Sequence, residues 1–404
     1  MKKIIQIVVS GNTGSVGRIA EDLGSSLLDN NWKSYIAFGR LKRSSKSVLI
    51  NIGCFLDNVF HLVETRLFDR HGLGSRWSTY LLIMKIKKIN PDIIHLHHLH
   101  GYFINVKILF NFLKSYNGQV VWTFHDCWSF TGHCCYFEIV NCDKWKTVCG
   151  KCPQINQYPK SFYLDRSEKN FLMKKELFLS VKNLTVVSVS QWLSSLVSQS
   201  FFSSSNLKMI YNGIDVSKFR IKSDLCTIKD QLGVTNKFVI LGVATIWEKR
   251  KGFDLFLDLS KSLKSDCVIV LVGLTKDQKS SLPLNILGFE RTDNLESLVN
   301  FYNCADVFCN LSYEETFGLT TVESLSCGTP VIVLGNSGSR ELVHDNVGFV
   351  HDKFSVFSII NSIEIIKGNG KNSYSDDCRN HAINNFSNSL AYSNYINLYN
   401  DLLK

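Results

Sequence analysis

The stretch Asp306-Val307-Phe308-Cys309-Asn310-Leu311-Ser312-Tyr313-Glu314-Glu315-Thr316-Phe317-Gly318-Leu319-Thr320-Thr321-Val322-Glu323, continuing through Ser324-Leu325-Ser326-Cys327-Gly328-Thr329-Pro330 to Val331-Ile332-Val333-Leu334, decides the fold. Its first seven residues are apolar and rich in strand formers, which predicts a short buried strand. Leu319, Val322, Leu325 and Ser326 mark the inner face of a helix that Gly328 ends, and Pro330 opens a second strand. A strand, loop, helix, strand unit results. At the start of such a helix, here Gly318 to Thr321, free backbone N–H groups and the helix dipole create a place for an anion. Two carboxylates flank it, Glu315 in the loop and Glu323 within the helix. Glu323 lies too far along to meet the same anion, but it can accept two hydrogen bonds from vicinal hydroxyls, as an acidic residue does with ribose.

The same alternation of apolar runs with helix-period segments fills the chain and predicts an α/β protein with two doubly wound, parallel-sheet, Rossmann-like domains facing a cleft. Strands are expected at Ile4 to Val9, Tyr35 to Phe38, Asp92 to His97, Val120 to His125 and Leu184 to Val189 in the first half. In the second they are expected at Phe238 to Ala244, Cys267 to Val272, Asn285 to Gly288, Asp306 to Leu311 and Pro330 to Leu334. Asn212-Gly213-Ile214-Asp215, followed by the polar segment Ser217 to Gly233, places the boundary between domains 1–213 and 214–375. Residues 376–404 read as a helical segment, with Tyr392, Tyr395, Ile396, Tyr399 and Leu402 at helical spacing.

The 404 residues are 45% hydrophobic with 5 prolines, enough for two cores and unlike a disordered chain. The apolar run after Lys3 is too short for a signal peptide, and no stretch is long enough to cross a bilayer. A cytoplasmic location follows as the expectation, with the 13 cysteines reduced. Lys and Arg exceed Asp and Glu by 25 to 13 in residues 1–200, against 20 to 22 in residues 201–404, so the net charge of +10 belongs to the first half. A broad positive field suits an anionic membrane or a diphosphate-linked lipid, which assigns acceptor and peripheral membrane contact to that half; ordinary surface solubilisation is the alternative. With no basic and aromatic cluster, nucleic acid is not an expected partner.

Glu315-Thr316-Phe317-Gly318 through Glu323, with Ser324 to Val331 after it, resembles the nucleotide-sugar signature of retaining glycosyltransferases of family 4, which have the GT-B fold. The resemblance implies that Glu315 lies at the donor sugar and Glu323 at the ribose, with Phe317, Gly318, Leu319 and Thr320 lining the donor. It implies that Lys251, after Trp247-Glu248-Lys249-Arg250, stabilises the leaving diphosphate, and that His125 sits beside the donor sugar. The family's arginine six residues before that lysine is Thr245 here, which leaves Lys249 or Arg250 to replace it. Gly288 and Phe289 fall where backbone meets the base. Asn212-Gly213-Ile214-Asp215 matches the interdomain element, and the terminal helix is expected to cross back to the first domain.

Gly11-Asn12-Thr13-Gly14-Ser15-Val16-Gly17-Arg18 follows the first strand and opens a helix, so Gly14 is expected at the donor phosphates and Ser15 near the acceptor, unless the glycines only form a tight turn. His95-Leu96-His97-His98-Leu99-His100-Gly101 ends another strand, with His98 and Asn105 expected at the acceptor and the other histidines in structural roles. His133-Cys134-Cys135, Cys142 and Cys149-Gly150-Lys151-Cys152-Pro153 lie in an insertion at about 127–160 whose sequence resembles colanic-acid-type exopolysaccharide transferases. Cys134, Cys142, Cys149 and Cys152 could close a tetrahedral structural zinc site in a loop expected to lack a core; cysteines packed as small hydrophobes are the alternative. The apolar stripe between Phe55 and Arg70 fits either a membrane interface or the protein's own core.

The expected activity is transfer of a sugar from a UDP- or GDP-linked donor to a polysaccharide or lipid-linked oligosaccharide. No Asp-x-Asp pair occurs, so no catalytic metal or other cofactor is expected. A nucleotide-sugar epimerase on the same plan and a noncatalytic nucleotide-sugar-binding partner are the rivals.

Overall fold

A computed structural model describes residues 1–223, 229–231, 233–292, 294–335 and 337–404. Part of the polar segment Ser217 to Gly233 thus lies outside the described residues. The chain divides into two compact units, Met1–Tyr211 with Tyr392–Lys404, and Asn212–Ala391. The terminal segment expected as one piece is two helices, Asn372–Phe386 and Asn388–Leu402, and the first unit claims only its last residues from Tyr392.

In unit 1 the strands are β1 (Lys3–Val8), β2 (Lys33–Phe38), β3 (Val48–Asn51), β4 (Ile93–Leu96), β5 (Gln119–Phe124), β6 (Leu184–Ser188) and β7 (Asn206–Met209). They form one parallel sheet in the order β3-β2-β1-β4-β5-β6-β7. β1, β4 and β5 are almost wholly buried, as strands covered by helices on both faces must be. The helix Gly14–Asp29 buries Ile19, Leu23 and Leu27, and its Ala20 joins Val8, Ile36 and Phe38 in a cluster. Each fully buried leucine there contributes about 1.5–3 kcal/mol. Gly17 permits the close approach, because a Cβ in its place would stand 2.4 Å from the carbonyl oxygen of Ser10.

Unit 2 has β8 (Phe238–Val243), β9 (Cys267–Val272), β10 (Ile286–Phe289), β11 (Val307–Asn310), β12 (Val331–Leu334) and β13 (Gly348–His351), all parallel in the order β10-β9-β8-β11-β12-β13. Both sheets reverse their strand order once, between β1 and β4 in unit 1 and between β8 and β11 in unit 2. Ligands of open α/β sheets bind in the crevice beyond the strand carboxyl ends at such a reversal. Each unit therefore has one favoured place for a ligand.

The Phe55 to Arg70 stripe does not face the core. The helix Phe55–Phe68 buries His61 and Thr65, while Phe55, Leu56, Phe60, Val63 and Phe68 are exposed. His61 turns inward because its ring holds two partners, Ser75 Oγ at 2.9 Å and the N–H of Gly72 at 3.1 Å. The helix Arg76–Ile89 adds Trp77, Tyr80, Leu81 and Met84 to the exposed apolar set, and Arg76 pairs with Glu64 of the first helix. No helix among the described residues is long and apolar enough to cross a membrane.

Candidate active site

At the reversal in unit 2, the loop after β8 carries Lys249, Arg250 and Lys251 on one 3-10 turn, and the loop after β11 carries Glu314 and Glu315. Gly252, with φ +72°, lets the first loop lie against β11, since a Cβ there would stand 2.1 Å from the carbonyl oxygen of Leu311. Two backbone clamps fix the pair of loops: Tyr313 N–H donates to Arg250 O at 2.9 Å, and Arg250 Nη1 donates to Glu314 O at 2.9 Å. Lys251 Nζ consequently donates to the Glu315 carboxylate, with Arg250 Nη1 4.0 Å from the same oxygen. Burial alone would push the Glu315 carboxyl up, but Lys251 and Arg250 hold it below the usual range. Burial pulls Lys251 down although Glu315 opposes this. The result is an ionised carboxylate against two cations at the sheet edge, about one-sixth exposed.

The helix Leu319–Ser326 starts beside this pair at Gly318, whose φ of +102° favours glycine. A third loop closes on it, with Gly338 N–H donating to Glu315 O at 2.7 Å. The N–H groups of Leu319 and Thr320 are first-turn groups that no helical carbonyl can reach. Within the helix Glu323 is buried and accepts a 2.7 Å hydrogen bond from the hydroxyl of Tyr302. Tyr302 lies on the helix Leu295–Cys304, and nothing near Glu323 in the sequence signals it. Leu319 and Thr320 are half-buried, whereas Phe317 is only 2% exposed and packs on Phe386, so its side chain belongs to the core. Lys249 and Thr245 are exposed, while Arg250 is the cation that reaches Glu315. Gly288 and Phe289 end β10, where the carbonyl of Phe289 accepts from the N–H groups of Gly273 and Leu274 at 2.9 and 3.1 Å.

At the reversal in unit 1, Gly14 and Ser15 are exposed at a helix start, and the loop after β4 presents histidines. His95 bonds Thr123 Oγ1 at 2.8 Å and the Tyr399 hydroxyl at 2.7 Å, and Tyr395 reaches Thr123 at 3.0 Å, so the last helix seals this row. His97 lies between Gln6 Oε1 and His125 Nε2, at 3.1 Å from each. His125, expected beside a sugar, is 7% exposed with one ring nitrogen engaged by His97. His98 is the half-exposed member; its Nε2 stands 3.3 Å from Asp126 Oδ2 without hydrogen-bond alignment. His100 Nε2 makes the close contact to that oxygen, 2.6 Å, and its Nδ1 meets the Tyr158 hydroxyl at 3.0 Å.

Burial keeps His95, His97, His98 and His125 neutral, lowering His95 to about 3 and His98 to about 4. Asp126 is held below the usual range, against its burial, by His100, His98 and the N–H of Trp128. Asn105 has a different job from the one expected. It is 4% exposed, its Oδ1 caps the helix Val106–Leu113 through Ile108 N–H at 3.0 Å, and its Nδ2 donates to Leu73 O at 2.5 Å. A polar residue just ahead of an apolar helical run is the signal that would have shown this.

The insertion at about 127–160 does have a core. Trp128, Phe130, Phe137 and Trp145 are each no more than 2% exposed, with Phe137 and Trp145 stacked at 4.9 Å. Thiols of Cys134, Cys142, Cys149 and Cys152 line one small cavity with His133. Among the described residues, the metal-type ligand atoms gathered within 4.8 Å of one another are instead those of His98, His100 and Asp126. Lys174 is buried beneath Trp128, 3.5 Å from the ring centre, donates to Trp128 O and Thr131 O at 2.7 and 3.0 Å, and is lowered by burial to about 7.

Known proteins share this fold. The model for "Glycosyltransferase Family 4" matches residues 16–218, half of the chain, and that for "Glycosyl transferases group 1" matches residues 227–384. A putative colanic acid biosynthesis glycosyl transferase of Escherichia coli, WcaC, is 26% identical over 88% of this chain and 89% of its own. Among solved structures, sucrose-phosphate synthase from Thermosynechococcus elongatus superposes with a TM-score of 0.75 at 16% identity, covering 100% of this chain and 99% of that one. Anabaena Alr3699/HepE in complex with UDP gives 0.70 at 17%, covering 99% and 100%. At such identities the two structures speak for the fold alone. The chain belongs to glycosyltransferase family 4 and is a glycosyltransferase of the GT-B fold.

Proposed function

We propose that the chain is a retaining glycosyltransferase that moves a sugar from a UDP- or GDP-linked donor to a polysaccharide or lipid-linked oligosaccharide acceptor in surface polysaccharide biosynthesis. The observation that carries this reading is the Lys251–Glu315 pair beside the first turn of the helix Leu319–Ser326, with Glu323 further along the same helix. When the bond from the anomeric carbon to the phosphate oxygen breaks, negative charge grows on the departing diphosphate. Lys251, Arg250 and the helix-start amides are fixed cations and dipoles aimed at one place, the arrangement that stabilises such charge. A diphosphate arriving there competes with Glu315 for Lys251, which frees the carboxylate to bond the donor sugar. Glu323, held by Tyr302, accepts from the ribose hydroxyls.

The histidine edge of unit 1, with His95, His97, His98 and His125 neutral, His98 partly exposed and Gly14 and Ser15 exposed at the helix start after β1, suits uncharged sugar hydroxyls and is assigned to the acceptor side. The basic groups take the charge role of a divalent ion, so turnover proceeds without added magnesium or manganese. The relationship to a putative colanic acid biosynthesis transferase and the likeness to a structure in complex with UDP support the acceptor class and the carrier.

A panel of UDP- and GDP-sugars, assayed for released diphosphate with and without lipid-linked acceptor, tests the reading. Acceptor-dependent release that Glu315→Ala abolishes supports it. Donor conversion indifferent to acceptor points to an epimerase, and function surviving Glu315→Ala at full rate points to a noncatalytic binding partner.

Peripheral contact with an anionic membrane at its cytoplasmic face belongs to the same proposal. It is favoured by exposed Phe55, Leu56, Phe60, Trp77 and Met84 beside the exposed Lys85, Lys87 and Lys88. Each basic side chain near such a surface adds about 1 kcal/mol. Phe60→Ser with Trp77→Ser should abolish cosedimentation with vesicles containing phosphatidylglycerol; unchanged binding would remove the patch as the contact.

A further inference from the structure

The cysteine cavity lies in the insertion after β5, and the transfer chemistry makes no use of it. Cys134, Cys142, Cys149 and Cys152 line it together with His133. It leaves about 10 Å³ for the centre of a water-sized sphere, room for one small body and no organic ligand. Four cysteines lining a space for a single ion supply the donor set that selects zinc among the common metals, and binding must draw them together, because among the described residues no three of their sulfurs lie within 4.8 Å of one another.

Three further observations point the same way. His133 is buried, its Nδ1 meets Asp69 Oδ1 at 2.6 Å with both side chains fully buried, and its Nε2 has no hydrogen-bond partner. An imidazole fixed by a carboxylate through one nitrogen, with the other unsatisfied, is the form that metal sites use in their inner or outer shell. Buried polar atoms are rarely left in that state.

The Cys149–Cys152 turn is tied down from outside. Lys151 has φ +46°, and Lys144 Nζ donates to the carbonyls of both residues within the turn, Gly150 at 2.8 Å and Lys151 at 3.0 Å. Backbone also serves the sulfur, because Gly132 N–H donates to Cys149 Sγ at 3.3 Å.

We propose that this cavity is a structural zinc site with the sulfurs of Cys134, Cys142, Cys149 and Cys152 as ligands, and His133, positioned by Asp69, bonding the thiolate shell. Zinc binding at about 2.3 Å per sulfur draws the four thiols inward and releases their protons. The ion pins the insertion from Cys134 to Cys152 and so supports the end of β5, where His125 and Asp126 follow the strand. The site stands independently of the donor and acceptor assignments.

Zinc content of the intact chain, purified without chelator, is the first measurement. One equivalent per chain, released when a mercurial blocks the thiols, is expected; well below one equivalent, even after incubation with zinc and desalting, overturns the proposal. Cobalt(II) exchanged into the intact protein then identifies the donors. A thiolate-to-cobalt charge-transfer band with tetrahedral d–d transitions is expected, whereas a spectrum without the thiolate band places the ion on His98, His100 and Asp126 and overturns the site. Cys149→Ser with Cys152→Ser should lose the metal, and His98→Ala should keep it. His133→Gln should retain one equivalent with weaker affinity. Complete loss in that variant alongside retention in Cys142→Ser overturns the four-thiol shell.

Discussion

The two sheet reversals use one topological device for opposite electrostatics. Beyond β8 and β11 in unit 2, Glu315, Lys251 and Arg250 are charged and hold one another in place. At the β1–β4 reversal and the neighbouring end of β5 in unit 1, His95, His97 and His125 are buried and kept neutral, and the carboxylate of Asp126 is bracketed by His100 and His98. A fixed ionic cluster suits a ligand that arrives charged and leaves more so. A neutral hydrogen-bonding edge suits hydroxyls, whose orientation matters more than their charge. On the proposed reading, the difference separates donor chemistry from acceptor recognition.

Acid should break the comparison most strongly. The unfolded chain takes protons on histidine below about pH 6.5, while folded His95 and His61 resist until about 3. Between those limits the unfolded state binds more protons, so stability falls as pH falls. At pH 5 each such histidine removes on the order of 2 kcal/mol, and His71, His97 and His125 add to the loss because burial lowers them too. In unit 2 the carboxyl of Glu315 is lowered instead, so its contribution persists until pH drops below the ordinary glutamate range. Hydrogen exchange resolved by peptide should show unit 1 opening first between pH 6.5 and 4; earlier opening of unit 2 would reverse the assignment.

Next in size is Lys251→Met. Removing a fixed cation from a site of developing charge should lower kcat by about 10²–10³, with a thermal midpoint close to that of the native chain in calorimetry. A collapse of the fold instead would make Lys251 a structural partner of Glu315. Smaller again is Tyr399→Phe, which leaves His95 Nδ1 buried without the hydroxyl that meets it at 2.7 Å. A loss of about 1–3 kcal/mol in denaturant unfolding is expected, with donor affinity unchanged.

Much of this was legible in the chain. The β9 strand Cys267–Val272 has the bounds its apolar run predicts, and the loop glycine, helix start and two carboxylates around Phe317 fall where their spacing puts them. Three strands escaped: β3, β7 and β13 are four residues each and lie at or near sheet edges, where a short half-exposed run lacks a continuous apolar signal. The side-chain partners were hidden for another reason. Tyr302 meets Glu323 from a different helix, Tyr158 meets His100 from the insertion, and Tyr399 meets His95 across 304 residues of chain. Such pairs are set by topology, and local periodicity carries no trace of them. The outward apolar face of Phe55–Phe68 was ambiguous because helical spacing gives the stripe but not the side it faces.

On the proposed reading the charged edge of unit 2 holds the donor's diphosphate and the histidine edge of unit 1 does not. Calorimetric titration of UDP and GDP into the native chain, Lys251→Met and His98→Ala tests it most directly. One nucleotide should bind the native chain, Lys251→Met should weaken it at least about tenfold, equivalent to 1.4 kcal/mol, and His98→Ala should leave it unchanged. Loss of nucleotide binding in His98→Ala with none in Lys251→Met would contradict it.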